Sequence, residues 1–324
     1  MQYRRFGRTG WKVSEIGYGM WGMGGQWAGA DDNESFRCLQ RAVELGCNFF
    51  DTAWAYGKGR SEKLLRRLLR EHPRRPLYVA TKIPPKNLKW PGSPKDRVKD
   101  VYPPEHIREY AEKSLTNLGR DAIDILQFHV WDDAWAKDEA WQRAVDDLKK
   151  QGLIRAFGIS VNRWEPDNVL SALGTGLVDA VQVIYNIFDQ APEDRLFPAC
   201  RTMDIGVIAR VPFDEGSLTG KLTKTTTFPK DDWRSRYFGP ENLMPSVIRS
   251  GRLKELVPAG STLSGLALRF ILAQGAVSTT IPGMRKIPHV EENIAESDGK
   301  GLPKDFVDAL RKHRWDRKPT PWSD

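Results

Sequence analysis

The sequence predicts an α/β protein of the (β/α)8 TIM-barrel class, with an N-terminal β-hairpin cap and long βα loops. Short β-branched or apolar runs alternate with amphipathic stretches along the whole chain, which is typical of parallel strands joined by helices. Eight strands can be counted, and no linker interrupts them. A doubly wound open sheet normally has about five or six strands, so eight favour a closed barrel. We therefore predict a single domain over residues 1–324.

The individual elements follow from periodicity and from turn residues. The predicted strands cover 14–19, 47–51, 77–82, 123–129, 155–160, 178–183, 206–210 and 277–282. The predicted helices cover 33–45, 62–69, 104–118, 139–151, 166–173, 192–201, 263–274, 289–297 and 304–313. Asp31 and Glu34 have the spacing of a capping box at the first helix. The opening stretch YRRFGRTGWKVSEIG predicts a hairpin below the barrel, and the long connections 84–103 and 222–245 are expected to be functional loops.

Composition narrows the classes of function. The formal charge is +8, from 50 Lys+Arg and 42 Asp+Glu, but the basic residues are interleaved with acidic and apolar ones. We therefore predict no nucleic-acid partner. Apolar runs end well short of the roughly 18 residues of a membrane helix, and the first residues do not resemble a signal peptide, so we expect no membrane association and a cytoplasmic protein. Cys38, Cys47 and Cys200 form no CxxC pair, which predicts buried free thiols and no zinc site.

Two glycine-rich segments resemble nucleotide-binding motifs. Residues 17–22 match GxGxxG after a predicted strand, but the following helix begins only near Asp31, whereas in a dinucleotide-binding fingerprint it begins inside the motif. Residues 216–221 are similar to a phosphate-binding loop, but the first glycine is one residue too close and Leu222 replaces the required Ser or Thr. We read neither as a nucleotide fingerprint.

The ends of consecutive predicted strands carry titratable side chains. Asp51 ends the second strand and Tyr56 follows it, Lys82 ends the third strand, and His129 ends the fourth. Barrel enzymes place their chemistry at this rim. A Lys ammonium beside a Tyr hydroxyl favours the phenolate and is expected to lower its pKa, while Asp51 holds the Lys in place. Singly, the four residues could be a helix cap, a loop anchor, an exposed charge and a satisfied core histidine, but together they predict a tuned proton donor with a second polar group that orients a carbonyl.

At this point the sequence resembles the aldo-keto reductase family. The resemblance rests on FGRTGWKVSEIGYGMW, DTAWAYG with a later SE, ATK, DILQFH, GLIRAFGISVN, VQVIYN, VIARVPFDEGSLTGK and IPGMRKIPHVEENI, and it covers almost the whole chain. It implies the (β/α)8 barrel, a catalytic tetrad of Asp51, Tyr56, Lys82 and His129 with Tyr56 as general acid, and NADPH as cofactor without a metal. NAD remains possible as the cofactor.

The resemblance also implies a cofactor site along the later strand ends. Ser160, Asn162 and Gln182 correspond to groups that hold the carboxamide, and the loop from Val211 to Lys221 corresponds to the pyrophosphate strap. The full set of implied cofactor residues is Ser160, Asn162, Gln182, Arg210, Val211, Pro212, Phe213, Ser217, Leu218, Lys221, Gly283, Met284, Arg285, His289, Glu292 and Asn293, with Ser217 and Leu218 supplying backbone N–H groups and Lys286 as an alternative phosphate contact.

Three residues depart from the family pattern. Arg210 stands where an aromatic residue usually stacks on the nicotinamide. Asp214 and Glu215 bring negative charge into the strap, and His289 replaces a commoner Arg or Gln. These departures leave the choice between NADP and NAD open.

Tryptophans in the loops predict the substrate pocket. Trp21, Trp54, Trp90, Trp131 and Trp233 indicate an apolar or sugar-stacking site for a small carbonyl compound. The predicted function is NADPH-dependent reduction of an aldehyde or ketone to an alcohol. A cofactor-sensing regulatory subunit, similar to the potassium-channel β-subunits, and a barrel lyase or isomerase are the alternatives. The sequence identifies neither the substrate nor the oligomeric state.

Overall fold

The computed structural model describes residues 1–24, 31–230 and 232–320, so part of the glycine-rich loop after the first barrel strand lies outside the described residues. The strands are β1 (Tyr3–Phe6), β2 (Trp11–Ser14), β3 (Tyr18–Gly19), β4 (Phe49–Asp51), β5 (Tyr78–Ile83), β6 (Ile123–Phe128), β7 (Ile154–Ser160), β8 (Ala180–Ile184), β9 (Gly206–Arg210) and β10 (Thr279–Thr280). The helices are α1 (Asp32–Glu44), α2 (Arg60–Glu71), α3 (Val98–Val101), α4 (Pro104–Leu118), α5 (Glu139–Lys150), α6 (Leu170–Leu173), α7 (Leu196–Thr202), α8 (Arg234–Tyr237), α9 (Pro240–Lys254), α10 (Leu263–Leu272), α11 (Ile287–Ala295) and α12 (Lys304–Arg311).

The eight strands β3 to β10 form one parallel sheet in sequence order. Its two edges meet, because the backbone N–H of Gly17 donates to Thr280 O at 2.8 Å and that of Gly19 donates to Pro282 O at 3.0 Å. The predicted (β/α)8 barrel is therefore confirmed. Because all strands run in parallel, the residues at their carboxyl ends meet at one rim.

A small apolar core fills the barrel. Side chains from six strands and the segment after β10 point inward, and they are Phe49, Ala80, Ile125, Ala156, Ala180, Ile208 and Ile281. Phe6 and Val13 of the β1–β2 hairpin belong to the same cluster. Gly206, at the start of β9, makes room for Phe6, since a Cβ there would lie 2.3 Å from the ring. The hairpin thus closes the bottom of the barrel, as the sequence predicted.

Most predicted helices are present with small shifts at their ends. Asp31 caps α1 by accepting a hydrogen bond from the Asn33 N–H at 2.8 Å. The late start of this helix agrees with the rejection of a dinucleotide fingerprint at 17–22. All three cysteines are free and buried, as expected. None of the helices in the described part of the chain has the length and apolar character that a membrane crossing requires.

The connection 222–245, which was expected to be a long functional loop, is helical in its second half. This segment contains α8 and the beginning of α9. Pro240 occupies the first turn of α9, where a missing N–H is tolerated. Pro245 lies inside the helix, although a proline in the sequence normally indicates the end of a helix. The connection 84–103 likewise contains the short helix α3.

Candidate active site

The four predicted catalytic side chains meet at the carboxyl rim of the barrel. Lys82 Nζ lies 2.7 Å from Asp51 Oδ1, 2.8 Å from Thr52 O and 3.4 Å from the Tyr56 hydroxyl. The Tyr56 and His129 rings meet edge to face with centroids 5.8 Å apart. Lys82 and Asp51 are buried, whereas Tyr56 and His129 are half-buried and face the mouth of the barrel.

Burial is the largest influence on the pKa values of the two half-buried residues, Tyr56 and His129. It raises the pKa of Tyr56, although the nearby Lys82 charge acts in the opposite direction. The expectation that Lys82 lowers the pKa below its ordinary value was therefore wrong in its net direction, because desolvation disfavours the phenolate more than Lys82 stabilises it. Burial, together with the charges of Lys82 and Arg210, holds the pKa of His129 well below its usual range. At neutral pH Tyr56 is a protonated phenol and His129 a neutral imidazole.

Two glutamines complete the surroundings of Asp51, and one of them was not predicted. Gln182 Nε2 donates to Asp51 Oδ2 at 2.6 Å, and Gln127 Nε2 lies 3.5 Å from the same oxygen. Gln127 lies opposite Lys82 in the β5–β6 ladder. Its position therefore depends on how the two strands align, and no sequence motif marks it. Both amides hold the Asp51 carboxylate in place to receive Lys82.

The implied carboxamide residues lie on neighbouring strand ends. Ser160 ends β7 and is aligned with Gln182 on β8. Asn162, just beyond β7, exchanges hydrogen bonds with the backbone of Gly92, at 3.0 Å from Nδ2 to O and 3.3 Å from N to Oδ1. This side chain therefore ties the 84–103 connection to the end of β7.

The loop after β9 is a tight, largely left-handed segment. Val211, Asp214 and Glu215 have φ of 56°, 44° and 54°, a region that residues other than glycine rarely adopt. The Leu218 N–H donates to Phe213 O at 3.0 Å within the loop, and the Leu218 side chain is fully buried; its implied role as a cofactor donor stays a prediction. Pro212 and Ser217 are also buried, whereas Phe213 is half-buried and Lys221 is exposed.

Internal ion pairs neutralise the acidic residues of this loop. Asp214 accepts from Arg317 at 2.9 Å, from Tyr237 at 2.7 Å and from Ser217 at 2.7 Å. Burial opposes its ionisation, but Arg317 holds the pKa of Asp214 below its ordinary value.

Glu215 is neutralised in a second ion pair, with Arg163 at 2.8 Å. Arg163, Tyr237 and Arg317 were not predicted, because they are distant from the loop in sequence and carry no recognisable spacing.

The segment after β10 turns into α11 next to this loop. Met284 is buried and its carbonyl accepts from the Tyr18 hydroxyl, whereas Gly283, Arg285 and Glu292 are exposed. Asn293 is buried on α11.

Two further basic residues of this segment lie near the N-terminus of α11. Lys286 caps the helix and is exposed. His289 is half-buried, and burial together with the charge of Lys221 lowers its pKa.

The five tryptophans divide between the mouth and the outer layer. Trp90 meets His129 edge to face at 5.7 Å, and Trp21 meets Trp233 at 6.0 Å. The pocket prediction was wrong for Trp131, which is 0% exposed and packs against Trp141 at 5.3 Å.

Trp54 is half-buried, and its place in the substrate pocket stays a prediction. Its ring lies 4.8 Å from that of Tyr110 on α4. The correction at Trp131 concerns an aromatic residue placed close to a strand end in sequence, where only the packing of the helices decides the side on which a ring lies.

Comparison with known proteins identifies the family of this chain. The model of the aldo/keto reductase family matches residues 15–314. The chain belongs to the aldo-keto reductase family. It is thus an NAD(P)H-dependent oxidoreductase, and the family resemblance found in the sequence is confirmed.

Three similar proteins span nearly the same length. An uncharacterized oxidoreductase of Bacillus subtilis is 29% identical over 97% of this chain and 96% of its own. An NADH-specific methylglyoxal reductase of Escherichia coli is 31% identical over 89% of this chain and 91% of its own. The solved structure of a glycerol dehydrogenase from Gluconobacter oxydans has a TM-score of 0.78 and 28% identity, covering 99% of this chain and 98% of its own.

Proposed function

We propose that this aldo-keto reductase reduces an aldehyde or ketone with NADPH, and that Tyr56 is the general acid. The observation that carries the proposal is the position of Lys82 Nζ between Asp51 at 2.7 Å and the Tyr56 hydroxyl at 3.4 Å. The Lys82 ammonium, which is paired with Asp51, stabilises the phenolate that remains when Tyr56 gives its proton to the carbonyl oxygen. His129 is neutral and offers a second polar group to the same oxygen. The reduced nicotinamide, when bound, supplies the hydride.

Unpartnered donors beside the post-β9 loop fit a phosphate-rich cofactor. Arg163 Nη1 and Trp233 Nε1 are buried, and within the described residues neither has a hydrogen-bond partner. The Arg163 guanidinium lies 5.2 Å from the Trp233 ring and is held to the loop through Glu215. Buried donors of this kind normally have acceptors, and the oxygens of a pyrophosphate would supply them.

NADPH is proposed over NADH on the basis of charge near α11. Arg285 and Lys286 are exposed and immediately precede this helix. The pKa of Arg285 is lowered, mainly by burial and secondly by the nearby charge of Arg234. A concentration of positive charge beside a helix N-terminus favours a phosphate group. A relative is named as NADH-specific, so the preference requires a direct test.

The decisive experiment compares wild type with Tyr56→Phe. We expect wild type to consume NADPH, measured at 340 nm, with members of a panel of aldehydes and ketones. Tyr56→Phe should lose about 10²–10⁴-fold in turnover, because general acid catalysis contributes that much, while cofactor binding measured by fluorescence titration stays close to normal.

Tyr78→Phe is the matched control. Tyr78 begins β5 at the opposite end of the barrel, where its ring stacks on Trp11 at 5.0 Å. It should leave turnover unchanged. Turnover of Tyr56→Phe within about tenfold of wild type would contradict the assignment, and a reaction that proceeds without cofactor would support a lyase or isomerase instead.

A further inference from the structure

The Ser-Glu pair that belongs to the family resemblance lies in the first turn of α2, behind the wall of the barrel. Ser61 and Glu62 follow Gly59, the N-cap residue of this helix, and both are 0% exposed. The proposed reaction assigns neither of them a role. Their contacts run toward the strand ends that carry Asp51 and Lys82.

Glu62 ties β5 to α2 and α4. Its Oε1 accepts a hydrogen bond from Thr81 Oγ1 at 2.7 Å, and its Oε2 accepts one from Asn117 Nδ2 at 2.8 Å. Gly59 leaves room for the Asn117 amide, since a Cβ there would lie 2.4 Å from Nδ2. Successive side chains of a strand point to opposite faces, so Thr81 points outward to Glu62 while Lys82 points into the barrel. The carboxylate therefore fixes the strand backbone that carries Lys82.

Ser61 ties the backbone acceptor of Lys82 to the same helical turn. The Thr52 hydroxyl donates to Ser61 Oγ at 2.7 Å, and the Thr52 carbonyl accepts from Lys82 Nζ at 2.8 Å. The Ser61 N–H also donates to Tyr56 O at 3.3 Å. One turn of α2 thus contacts the segments that carry Lys82, its backbone acceptor and Tyr56.

The contact between Lys82 and Tyr56 tolerates little movement. The ammonium nitrogen and the hydroxyl oxygen lie 3.4 Å apart, near the upper limit of a hydrogen bond. A small displacement of Lys82 away from the hydroxyl would therefore weaken its effect on the pKa of Tyr56. Burial, the largest influence, raises the pKa of Glu62, and the Lys82 charge is among the effects that oppose it. The carboxyl that fixes the strand of Lys82 is thus also within electrostatic reach of it.

We propose that Glu62 is a positioning residue, whose carboxyl group holds Thr81, and with it Lys82, at the distance at which the ammonium stabilises the Tyr56 phenolate. The inference rests on the proposed role of Tyr56 as general acid. Glu62 is fully buried behind the strand, so it acts through Lys82 and not by contact with the substrate. Ser61 supports the same arrangement by fixing the backbone acceptor of Lys82.

The test compares Glu62→Ala with Glu62→Gln. Glu62→Ala removes the acceptor for Thr81 and lets Lys82 move, so the alkaline limb of kcat/KM should shift to higher pH by part of the shift that Lys82→Met gives. We expect kcat to fall about tenfold, a fraction of the roughly 10²–10⁴-fold that general acid catalysis contributes, with KM and the cofactor Kd within about twofold of wild type. Glu62→Gln keeps an acceptor for Thr81 and should restore most of kcat.

The direction of the shift separates positioning from charge. The pKa of the general acid responds to the charges of Lys82, Asp51 and Arg210, and all three remain in both variants. Loss of a negative charge at Glu62 would by itself lower the pKa of Tyr56, because a nearby negative charge disfavours the phenolate. Displacement of Lys82 raises this pKa instead. Glu62→Ala combined with Lys82→Met should shift the limb no further than Lys82→Met alone, since the residue through which Glu62 acts is gone.

Asp124→Ala is the matched control. Asp124 is a buried carboxylate near the start of β6, and it also holds β5, by accepting from the Val79 N–H at 3.0 Å. This contact lies at the opposite end of the strand from Lys82, so the variant should lose stability and keep the wild-type limb. Thr81→Val removes the hydrogen bond to Glu62 at nearly constant side-chain size. It should reproduce the shift of Glu62→Ala, and it decides the question if that variant does not fold.

The Tyr56 phenolate can also be titrated without turnover. Its ultraviolet absorbance is isolated by subtracting the titration of the same protein carrying Tyr56→Phe. A Tyr56 pKa in Glu62→Ala at or below the wild-type value overturns the inference, and so does an equal rise in Asp124→Ala, while carbonyl reduction stands in both cases. If wild type reduces no carbonyl compound, the proposed function fails, and the titration still decides whether Glu62 positions Lys82.

Discussion

Single residues at the rim derive their chemistry from burial and from one another. Lys82 is 1% exposed, yet it retains a partner on each side in Asp51 and Tyr56. A buried ammonium needs an opposite charge to offset its lost hydration, and the Asp51 carboxylate at 2.7 Å supplies it. Burial thus favours the protonated phenol of Tyr56, while the Lys82 charge favours the phenolate that remains once the carbonyl oxygen has taken the proton, which is the balance that the proposed general acid needs.

Replacing Lys82 with Met should shift the alkaline limit of activity. Tyr56 must be protonated to act, so the rate falls as pH rises through its pKa. Since Lys82 lowers this pKa, its removal should raise it, and the alkaline limb of kcat/KM against pH should move to higher pH while the maximal rate falls. Lys86→Met, an exposed lysine at the surface, should keep the wild-type profile. A limb that stays in place would mean that Lys82 does not act on Tyr56.

The preference for NADPH can be tested at Arg285 and Lys286. Replacing both with Ala should weaken NADPH relative to NADH at least tenfold, because a charge-assisted hydrogen bond contributes roughly 1.5–3 kcal/mol. Dissociation constants measured by fluorescence titration give the ratio for each protein. Lys300→Ala with Lys304→Ala, two exposed lysines near α12, is the control. An unchanged ratio would place the phosphate elsewhere or indicate that the enzyme uses NADH.

At the scale of elements, the C-terminal tail holds the loop after β9. Arg317 lies 2.9 Å from Asp214 and 2.5 Å from Asp189, and the three side chains are at most 6% exposed. Arg317 Nη1 also donates to the Tyr237 hydroxyl at 2.9 Å, which ties α8 to the same cluster. The left-handed backbone at Asp214 is unfavourable by itself, so these contacts are what keeps the loop in its tight form.

Arg317→Met should therefore loosen this loop. Removing one partner of a buried ion pair destabilises the folded protein by about 3–5 kcal/mol. Because the pair holds this loop, we expect faster cofactor release and about tenfold weaker cofactor binding. Release is measured by displacing bound cofactor in a stopped-flow chase. Arg314→Met removes the neighbouring surface pairs with Asp194 and Asp316 and should release cofactor at the wild-type rate. If Arg317→Met does the same, the tail does not hold the loop.

Across the whole molecule, the bottom of the barrel provides stability and the rim provides chemistry. Phe6 enters the same core as Phe49 and Ile208 and stacks on Phe49 at 5.6 Å. It is far along the strands from Tyr56 and His129. The two ends should therefore respond to substitution independently.

Phe6→Ala should destabilise the protein by about 3–5 kcal/mol through the cavity it leaves. The urea midpoint, followed by circular dichroism, should fall, while turnover per folded molecule stays close to wild type. Tyr3→Ala, on the same strand but 50% exposed, should change the midpoint little. A large loss of turnover in folded Phe6→Ala would show that the hairpin contributes to the site.

The barrel, and the meeting of the four proposed catalytic residues at its rim, could be predicted from the sequence because both depend on local pattern. Strand periodicity orders the eight strands, and parallel strands bring their carboxyl ends to one rim, so Asp51, Lys82 and His129 had to meet. The register that places Gln127 and Gln182 on Asp51 depends on how the strands align, which no single strand contains.

Only the tertiary structure decided the environment of these residues. The net rise in the pKa of Tyr56 depends on how deeply the ring is buried, and the neutralisation of Asp214 depends on Arg317, 103 residues away in sequence. The sequence likewise placed Trp131 near the site, whereas helix packing turned it into the outer layer. Burial and long-range ion pairs arise only when distant segments come together, so local periodicity and spacing carry no record of them.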